Sequence, residues 1–359
     1  MAQNVRDLFS RNYAQARERF LQAAASRGLQ VDSYVLGLPG EQGEELATDV
    51  VLDGPADAEK LLIIISGVHG VEGYSGSAIQ TGMLGVNLSL PADTAVLYIH
   101  AVNPYGFSWS RRVTQENVDL NRNFVDFSDK LPVNANYEGI HDLLLPIEWP
   151  LPDDNEAKLQ QIKQELGPRE YQKAITLGQY DYPDGMYFGG KQETWSNQTI
   201  RTILRKYGQR CRYLGSLDVH TGLGPYGFGE RIFACLDEGE TLERARRWWG
   251  NVTSVHSGSS TSIPMSGPVQ FALFEECSQS IQTNMCLEFG TYPLAMIIQA
   301  LRGDHWLYRR GSSDKRLYRH IQQVLKDAFY PQEESWQNDI WQQGHDIFLQ
   351  TLSGLQEVH

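Results

Sequence analysis

The sequence predicts an α/β sandwich in which helices cover a mixed or mostly parallel sheet. Two short aliphatic runs, Leu61–Ile65 and Ala95–His100, are bounded by turn residues, as buried central strands are. Apolar residues at helical spacing over 4–27 predict an amphipathic first helix. Strand-like and helix-like stretches then alternate along the chain, which favours a sheet with helices packed on it.

The other elements follow from the same patterns. Further strands are predicted at 32–37, 46–53, 213–219, 231–236 and 283–289. Residues 126–210 are interpreted as an insertion or cap, with helices at 156–166 and 169–177, and residues 294–359 as a helical C-terminal extension in three pieces. We therefore expect one domain over 1–359 with its core motifs in 45–300.

Composition limits the possible partners. The 359 residues carry a net charge of -13, and the pI is near 5.2. Nucleic acids and anionic membranes attract basic surfaces, so neither is an expected partner. The N-terminus shows no secretory signal pattern, and the four cysteines show no CxxC spacing. These features predict a cytoplasmic protein with reduced cysteines.

Three residues at the ends of predicted strands could hold one metal ion. His69 and Glu72 follow the Leu61–Ile65 strand, and His220 closes another apolar strand. Two histidines, one glutamate and an open position for water are the ligand set of catalytic zinc sites. Taken singly, Glu72 could be a favourable charge at a helix N-terminus and His220 a core histidine. Their joint occurrence at two strand ends favours one zinc ion per chain.

Cationic side chains cluster between these ligand motifs. Asn121 and Arg122 suit a substrate carboxylate, because a guanidinium group binds carboxylates through two parallel hydrogen bonds. Arg111 or Arg112 could stabilise the oxyanion of a tetrahedral intermediate. In the absence of a metal site the same arginines would be interpreted as a loop of surface salt bridges.

Glu288 is a lone carboxylate in the otherwise apolar stretch 285–289. A buried glutamate is costly unless it is paired or has a function. It is therefore the candidate general base, which would take a proton from water and pass it to the leaving amine. The alternative is an exposed glutamate on an edge strand.

The chain resembles the zinc metallocarboxypeptidase superfamily in the order and type of its motifs, which are His69-x-x-Glu72, Asn103-Pro-x-Gly106, Val118-Asp-Leu-Asn-Arg-Asn-Phe124, His220 and Glu288. The stretch around His220 also resembles the aspartoacylase and succinylglutamate desuccinylase group, so the chain looks closest to a poorly characterised bacterial branch. The resemblance implies a mixed eight-stranded sheet in a three-layer sandwich. It also implies zinc on His69, Glu72 and His220, the substrate carboxylate on Asn121 and Arg122, and Glu288 as base. It favours Arg112 for the oxyanion and leaves Arg111 possible.

The chain departs from the family pattern at two places. Thr114 and Asn117 replace an asparagine and a glycine of the motif, which keeps Arg111 possible for the oxyanion. The 262–279 segment contains no tyrosine where carboxypeptidases carry a mobile one, which affects the predicted activity. The substrate is therefore either a peptide or an N-acyl amino acid with a free carboxylate. Carboxypeptidase-like hydrolysis is the first hypothesis, an amidohydrolase acting on an N-acyl amino acid the second, and a non-catalytic binding protein the third. A serine hydrolase built on Gly73–Ser77 is disfavoured, because Ser77 stands in place of the second glycine of that motif.

Overall fold

The structure is a computed structural model that describes residues 4–86, 88–236 and 239–358. It confirms the predicted α/β sandwich with a mixed, eight-stranded sheet. The strands are β1 (Val31–Pro39), β2 (Glu45–Asp53), β3 (Lys60–Ser66), β4 (Thr94–His100), β5 (Tyr213–Gly222), β6 (Gly229–Phe233), β7 (Thr253–Ser254) and β8 (Ile281–Gly290). They lie in the order β1-β2-β4-β3-β5-β8-β6-β7.

The four central strands β4, β3, β5 and β8 run parallel, and antiparallel pairs lie on both sides of them. Their carboxyl ends therefore meet at one edge of the sheet, where ligands bind in α/β folds. All residues of β3, β4 and β5 are buried. Burial on both faces explains why β3 and β4 appear in the sequence as mainly apolar runs rather than as alternating patterns.

Helices cover the sheet and form the insertion and the C-terminal region. They are α1 (Tyr13–Ser26), α2 (Gly73–Gly85), α3 (Pro104–Ser108), α4 (Glu138–Leu144), α5 (Asn155–Leu166), α6 (Pro168–Thr176), α7 (Trp195–Tyr207), α8 (Glu240–Trp249), α9 (Gln270–Glu276), α10 (Leu294–Arg310), α11 (Lys315–Phe329) and α12 (Glu334–Glu357). Among the described residues, no helix combines the length and the apolar character that a membrane crossing requires.

The two faces of the sheet carry separate hydrophobic cores. On one face α1, α2, α8 and α12 pack against side chains such as Ile64 and Tyr98. On the other face α7 and α9 pack against the alternate side chains, such as Ile63 and Leu97. This alternation produces the three layers, because successive residues of a strand point to opposite faces.

A third core joins the predicted insertion to the C-terminal region. Apolar residues of α4, α5 and α6 pack against α10 and α11 in one cluster. The last helix, α12, instead returns to the sheet, where Trp336, Ile340 and Phe348 are fully buried. The C-terminal 294–359 region therefore contributes both to the central sandwich and to the layer over its carboxyl edge.

Candidate metal centre

His69, Glu72 and His220 meet at the carboxyl edge of the sheet. His69 and Glu72 lie in the turn after β3, in and beside a 3₁₀ turn at Gly70–Glu72, and His220 lies near the end of β5. One potential ligand atom from each residue lies within 4.8 Å of the other two. All three side chains are buried, at 2–4% exposure. The structure thus brings together the three residues that the sequence predicts as ligands.

The turn that carries Glu72 is held by close backbone packing. The amides of Gly70 and Val71 donate to the carbonyls of Arg112 and Arg111 at 3.1 and 2.8 Å. A Cβ atom on Gly70 would lie 2.0 Å from the carbonyl carbon of Gly106. Only glycine permits this approach, so the glycine beside His69 is required by the fold of the site.

Each imidazole is anchored by a buried carboxylate. The Nε2 atom of His69 lies 3.1 Å from Oδ1 of Asp119, and that of His220 lies 2.8 Å from Oδ2 of Asp218. Such carboxylates orient metal-binding histidines and raise their basicity. In both residues the other ring nitrogen, Nδ1, faces Glu72, at 3.0 Å from Oε1 for His69 and 2.9 Å from Oε2 for His220.

The donor set fits zinc. Nδ1 of His69 is buried without a hydrogen-bond partner, although it lies 3.0 Å from a Glu72 oxygen. At His69, a close approach that lacks hydrogen-bond geometry fits two atoms directed at a shared ion, whereas Nδ1 of His220 forms a hydrogen bond of 2.9 Å with Glu72. Ligands of one tetrahedral zinc ion, at about 2.0–2.1 Å from the metal, lie about 3.3 Å apart. The separations around Glu72 are close to this value.

Several buried charged groups lie close together in the site and shift one another's pKa values. Burial by itself raises the pKa of Glu72, but His69, His220 and Arg112 lower it below the usual glutamate value. Burial lowers the pKa of His220, and the charges of Asp218 and Glu72 outweigh it and raise that pKa well above 6.5. Positive charge is thus strongly favoured among these carboxylates, whether it is carried by protons or by a metal ion.

Arg112 lies inside the site and Arg111 does not. The Arg112 guanidinium donates to Oε1 of Glu72 at 2.8 Å and to Oδ2 of Asp119 at 2.9 Å. Arg111 points away from the cavity and forms a two-pronged pair with Asp304 of α10, at 2.9–3.1 Å. The geometry therefore favours Arg112 over Arg111 for a role at the oxyanion.

Asn121 and Arg122 lie in a second 3₁₀ turn, Leu120–Arg122, and both line the cavity. Oδ1 of Asn121 accepts from the amide of Val269 at 3.0 Å. Arg122 donates to Asp119 at 3.4 Å and to the carbonyl of Thr176, while its Nε is buried without a partner. A buried guanidinium with an unused donor beside a cavity suits an anionic ligand.

Asp119 links these groups, a role that the sequence pattern did not reveal. It is fully buried and accepts from His69, Arg112, Arg122 and the amide of Asn121. Burial raises its pKa, but the two guanidinium groups and His69 lower it well below the usual aspartate value. Asp119 is therefore a carboxylate that positions one ligand and two arginines at once.

Tyr187 was also missed, because it belongs to the insertion. Its ring lies close to two guanidinium groups, with its centroid 5.3 Å from Cζ of Arg112 and 5.1 Å from Cζ of Arg122. Its backbone adopts a φ of 53°, which is uncommon for a residue other than glycine. In the sequence, an aromatic residue before Phe188-Gly-Gly190 is equally consistent with packing and with a contact to the arginines.

The insertion also supports the arginine motif through the backbone. The amide of Asp119 donates to the carbonyl of Phe188 at 2.8 Å, and Asn123 donates to the carbonyls of Gly189 and Gln192. Asn117, which replaces a family glycine, has a φ of 63°. Asparagine tolerates this left-handed conformation better than most residues, which explains the replacement.

Glu288 lies on β8 beside His220 in the parallel register of β5 and β8. It is 8% exposed, and its Oε1 accepts from the amide of Leu223 at 2.9 Å. Burial, followed by the negative charge of Glu72, raises the pKa of Glu288 to about 8. A carboxyl group of this pKa, next to the ligand cluster, can exchange protons near neutral pH.

These residues line one cavity of about 80 Å³. Its wall includes the three ligand candidates, Glu288, the cationic groups and side chains from the 262–265 loop, β8, α6, α10 and α11. The arrangement places a candidate metal site, a base of raised pKa and two arginines around one small space.

Comparisons with solved structures find distant similarities. Carboxypeptidase A from Helicoverpa armigera is 14% identical, with 88% of this chain and 74% of that chain covered and a TM-score of 0.45. Bovine thrombin-activatable fibrinolysis inhibitor, in complex with tick carboxypeptidase inhibitor, is 12% identical, with 89% and 96% covered and a TM-score of 0.45. A metallo-carboxypeptidase from Burkholderia cenocepacia is 11% identical, with 77% and 59% covered and a TM-score of 0.41.

No curated protein matches the chain significantly. The profile of a protein family described as "Protein of unknown function (DUF2817)" matches residues 9–343. The match includes the metal-site residues, the arginine motif, the insertion and most of the C-terminal helices. The chain therefore belongs to the DUF2817 family.

Proposed function

We propose that this protein is a zinc-dependent hydrolase that cleaves a peptide or amide bond next to a free carboxylate, as carboxypeptidases do. The observation that carries the proposal is the convergence of His69, Glu72 and His220 within 4.8 Å, each side chain buried and fixed by partners. A closed structural zinc site would instead have four cysteine or histidine ligands. This one has three ligands and faces a cavity.

The residues around the cavity supply the groups that amide hydrolysis needs. A bound zinc ion would polarise the scissile carbonyl and lower the pKa of a water molecule to about 7. Glu288 takes a proton from the attacking water and later gives it to the leaving amine. Burial raises the pKa of Glu288 above that of an ordinary glutamate, so its carboxyl group is able to hold that proton between the two steps.

Charge at the other side of the cavity orients the substrate. Arg112, which is fixed by Glu72 and Asp119, places a positive charge where the carbonyl oxygen becomes negative. The guanidinium group of Arg122 and the side chain of Asn121, which both line the cavity, bind the substrate carboxylate. The bond that breaks is then the one next to the carboxylate-bearing residue.

A second candidate function uses the same groups on a different substrate. The 262–279 segment contains no tyrosine where carboxypeptidases carry a mobile one, and the Tyr187 ring, which belongs to a different segment, packs against both arginines. This favours an amidohydrolase that removes the acyl group from an N-acyl amino acid. The ligand set, the base and the arginines have the same roles in both reactions.

The first test is metal content and activity together. The purified protein is expected to bind one zinc ion per chain, and chelation is expected to abolish hydrolysis. A fully active metal-free protein would overturn the proposal. A panel of dipeptides and N-acyl amino acids then distinguishes the two substrate classes. The same compounds with the carboxylate amidated test whether a free carboxylate is required.

The second test is Glu288→Gln, which removes the base and keeps the shape. We expect kcat to fall by about 10²–10⁴-fold while zinc stays bound. The matched control is Glu276→Gln, which changes a glutamate that pairs with Arg201 and Arg205 away from the cavity. Activity that survives in Glu288→Gln would remove Glu288 from its role.

A further inference from the structure

A second cavity opens beside the metal site, between the insertion and the C-terminal region. It is a groove of about 340 Å³ formed by α5, α6 and α10. Its wall is largely apolar and includes Leu159, Ile175, Leu294, Ala295 and Ile298. Leu159 and Ile175 are buried, so the floor of the groove is a fixed hydrophobic surface.

The groove adjoins the metal cavity. Gln172 and Thr176 of α6 and Leu294 of α10 line both spaces. The metal cavity, at about 80 Å³, is below the range of about 300–1,000 Å³ in which small-molecule sites usually fall. The adjoining groove of about 340 Å³ reaches that range. The metal cavity alone is therefore too small for most of a substrate, and the rest of the substrate has room in the adjoining groove.

Most polar groups of the groove are already engaged in hydrogen bonds within the protein. Arg302 donates to the carbonyls of Leu143 and Leu144. Gln172 donates to the carbonyl of Thr261. A peptide main chain would find few free donors or acceptors here, whereas a hydrocarbon chain requires none.

Arg169 and Lys163 are the remaining cations of the wall. Arg169 donates to the carbonyls of Ser260 and Ser262, which ties α6 to the loop over the metal cavity. Lys163 is half-buried, and the methylene stem of a lysine adds apolar surface to a wall of this kind. Neither residue changes the apolar character of the floor.

We infer that the groove binds an extended hydrocarbon acyl chain, so that the substrates are N-acyl amino acids with long acyl groups. The inference rests on the proposed hydrolase function and selects between its two substrate classes. The carboxylate lies on Asn121 and Arg122, the carbonyl lies beside Arg112, and the acyl chain leaves past Thr176 and Leu294. Hydrolysis breaks the C–N bond, adds the hydroxyl of water to the carbonyl carbon and a proton to nitrogen, and yields a fatty acid and an amino acid.

Chain length is the measurable consequence. For the N-acetyl, N-hexanoyl and N-decanoyl derivatives of the amino acid preferred in the panel above, kcat/KM is expected to rise with length. The gain is at most about fourfold for each methylene group that enters the groove, since burial of one methylene contributes about 0.8 kcal/mol. Blocked peptides of similar length are expected to be poorer substrates.

The variant Ala295→Trp tests the location, because Ala295 lines the groove and is exposed, so a tryptophan there would fill groove space without displacing buried side chains. It is expected to lower the decanoyl-to-acetyl ratio of kcat/KM by about tenfold or more, the contribution of about two methylene groups. Met296→Trp is the matched control. Met296 is the next residue of the same helix, is 54% exposed and does not line the groove, so its ratio should match that of the wild type.

The outcomes separate this inference from the proposed function. Equal kcat/KM for all chain lengths, or an equal loss of the ratio in both tryptophan variants, overturns the groove assignment and leaves the hydrolase intact. If no amide is hydrolysed, the proposed function fails. In that case the groove is tested alone by calorimetry, which measures the binding of N-decanoyl-leucine to the zinc-loaded Glu288→Gln variant. If adding Ala295→Trp to this variant leaves the binding unchanged, the groove assignment is also overturned.

Discussion

Replacement of Asp119 by asparagine tests how the site is built. Asp119 accepts from His69 Nε2 at 3.1 Å, from Arg112 Nε at 2.9 Å and from Arg122 Nη1 at 3.4 Å, in a fully buried position. Asparagine keeps the shape, removes the negative charge and turns one acceptor into a donor. The substitution therefore disturbs one metal ligand and two buried cations together.

Two magnitudes follow from these contacts. Loss of a carboxylate that orients a metal-binding histidine typically weakens metal affinity by about 10–100-fold. Loss of the anion between two buried guanidinium groups is expected to lower the free energy of unfolding by about 3–5 kcal/mol. The zinc dissociation constant, measured by chelator competition, and urea unfolding of the metal-free protein report the two effects separately.

Asp218→Asn is the internal control. Asp218 anchors His220 at 2.8 Å and accepts from Gln270 at 3.1 Å, and these contacts include no arginine. It should weaken zinc binding to a similar extent, with a smaller loss of stability of about 1–3 kcal/mol. If both variants bind zinc within about twofold of the wild type, the carboxylates do not orient metal ligands, and the account of the site is wrong.

Three further predictions concern charge. Glu288 has a pKa of about 8 against 4.5 for an ordinary glutamate, so unfolding releases its proton and its contribution to stability falls as pH rises from about 4.5 to 8. In the metal-free protein Glu288→Gln should therefore gain stability over the wild type across that window, up to about 5 kcal/mol in urea unfolding, and a difference that is constant with pH would contradict this. Arg112→Ala should lower kcat by about 10²–10³-fold, whereas Arg122→Ala should act mainly by raising KM, and steady-state kinetics in which both change the same parameter would refute the assigned roles. Asp304→Asn leaves the buried Arg111 without its anion and should cost about 3–5 kcal/mol of unfolding free energy, a prediction that a loss below about 1 kcal/mol would rule out.

The sequence alone determined the elements of the sandwich and the chemical types at the site. Leu61–Ile65 and Ala95–His100 were recognisable as central strands because burial on both faces demands continuous apolar residues. His69, Glu72 and His220 were predicted because their joint occurrence after two apolar strands suits a zinc ion, and Glu288 was predicted because a carboxylate within an apolar strand is costly without a function. Such local signals depend only on each residue and its near neighbours.

Only the tertiary structure decided which groups touch. It placed Arg112 at the ligands and Arg111 on Asp304, although the two arginines are adjacent and equally suited by type. It also gave Asp119 its central position and brought Tyr187 from the insertion into contact with two guanidinium groups. These contacts join segments far apart in the chain, and their geometry follows from how helices and strands pack rather than from any local pattern, so no spacing in the sequence could specify them.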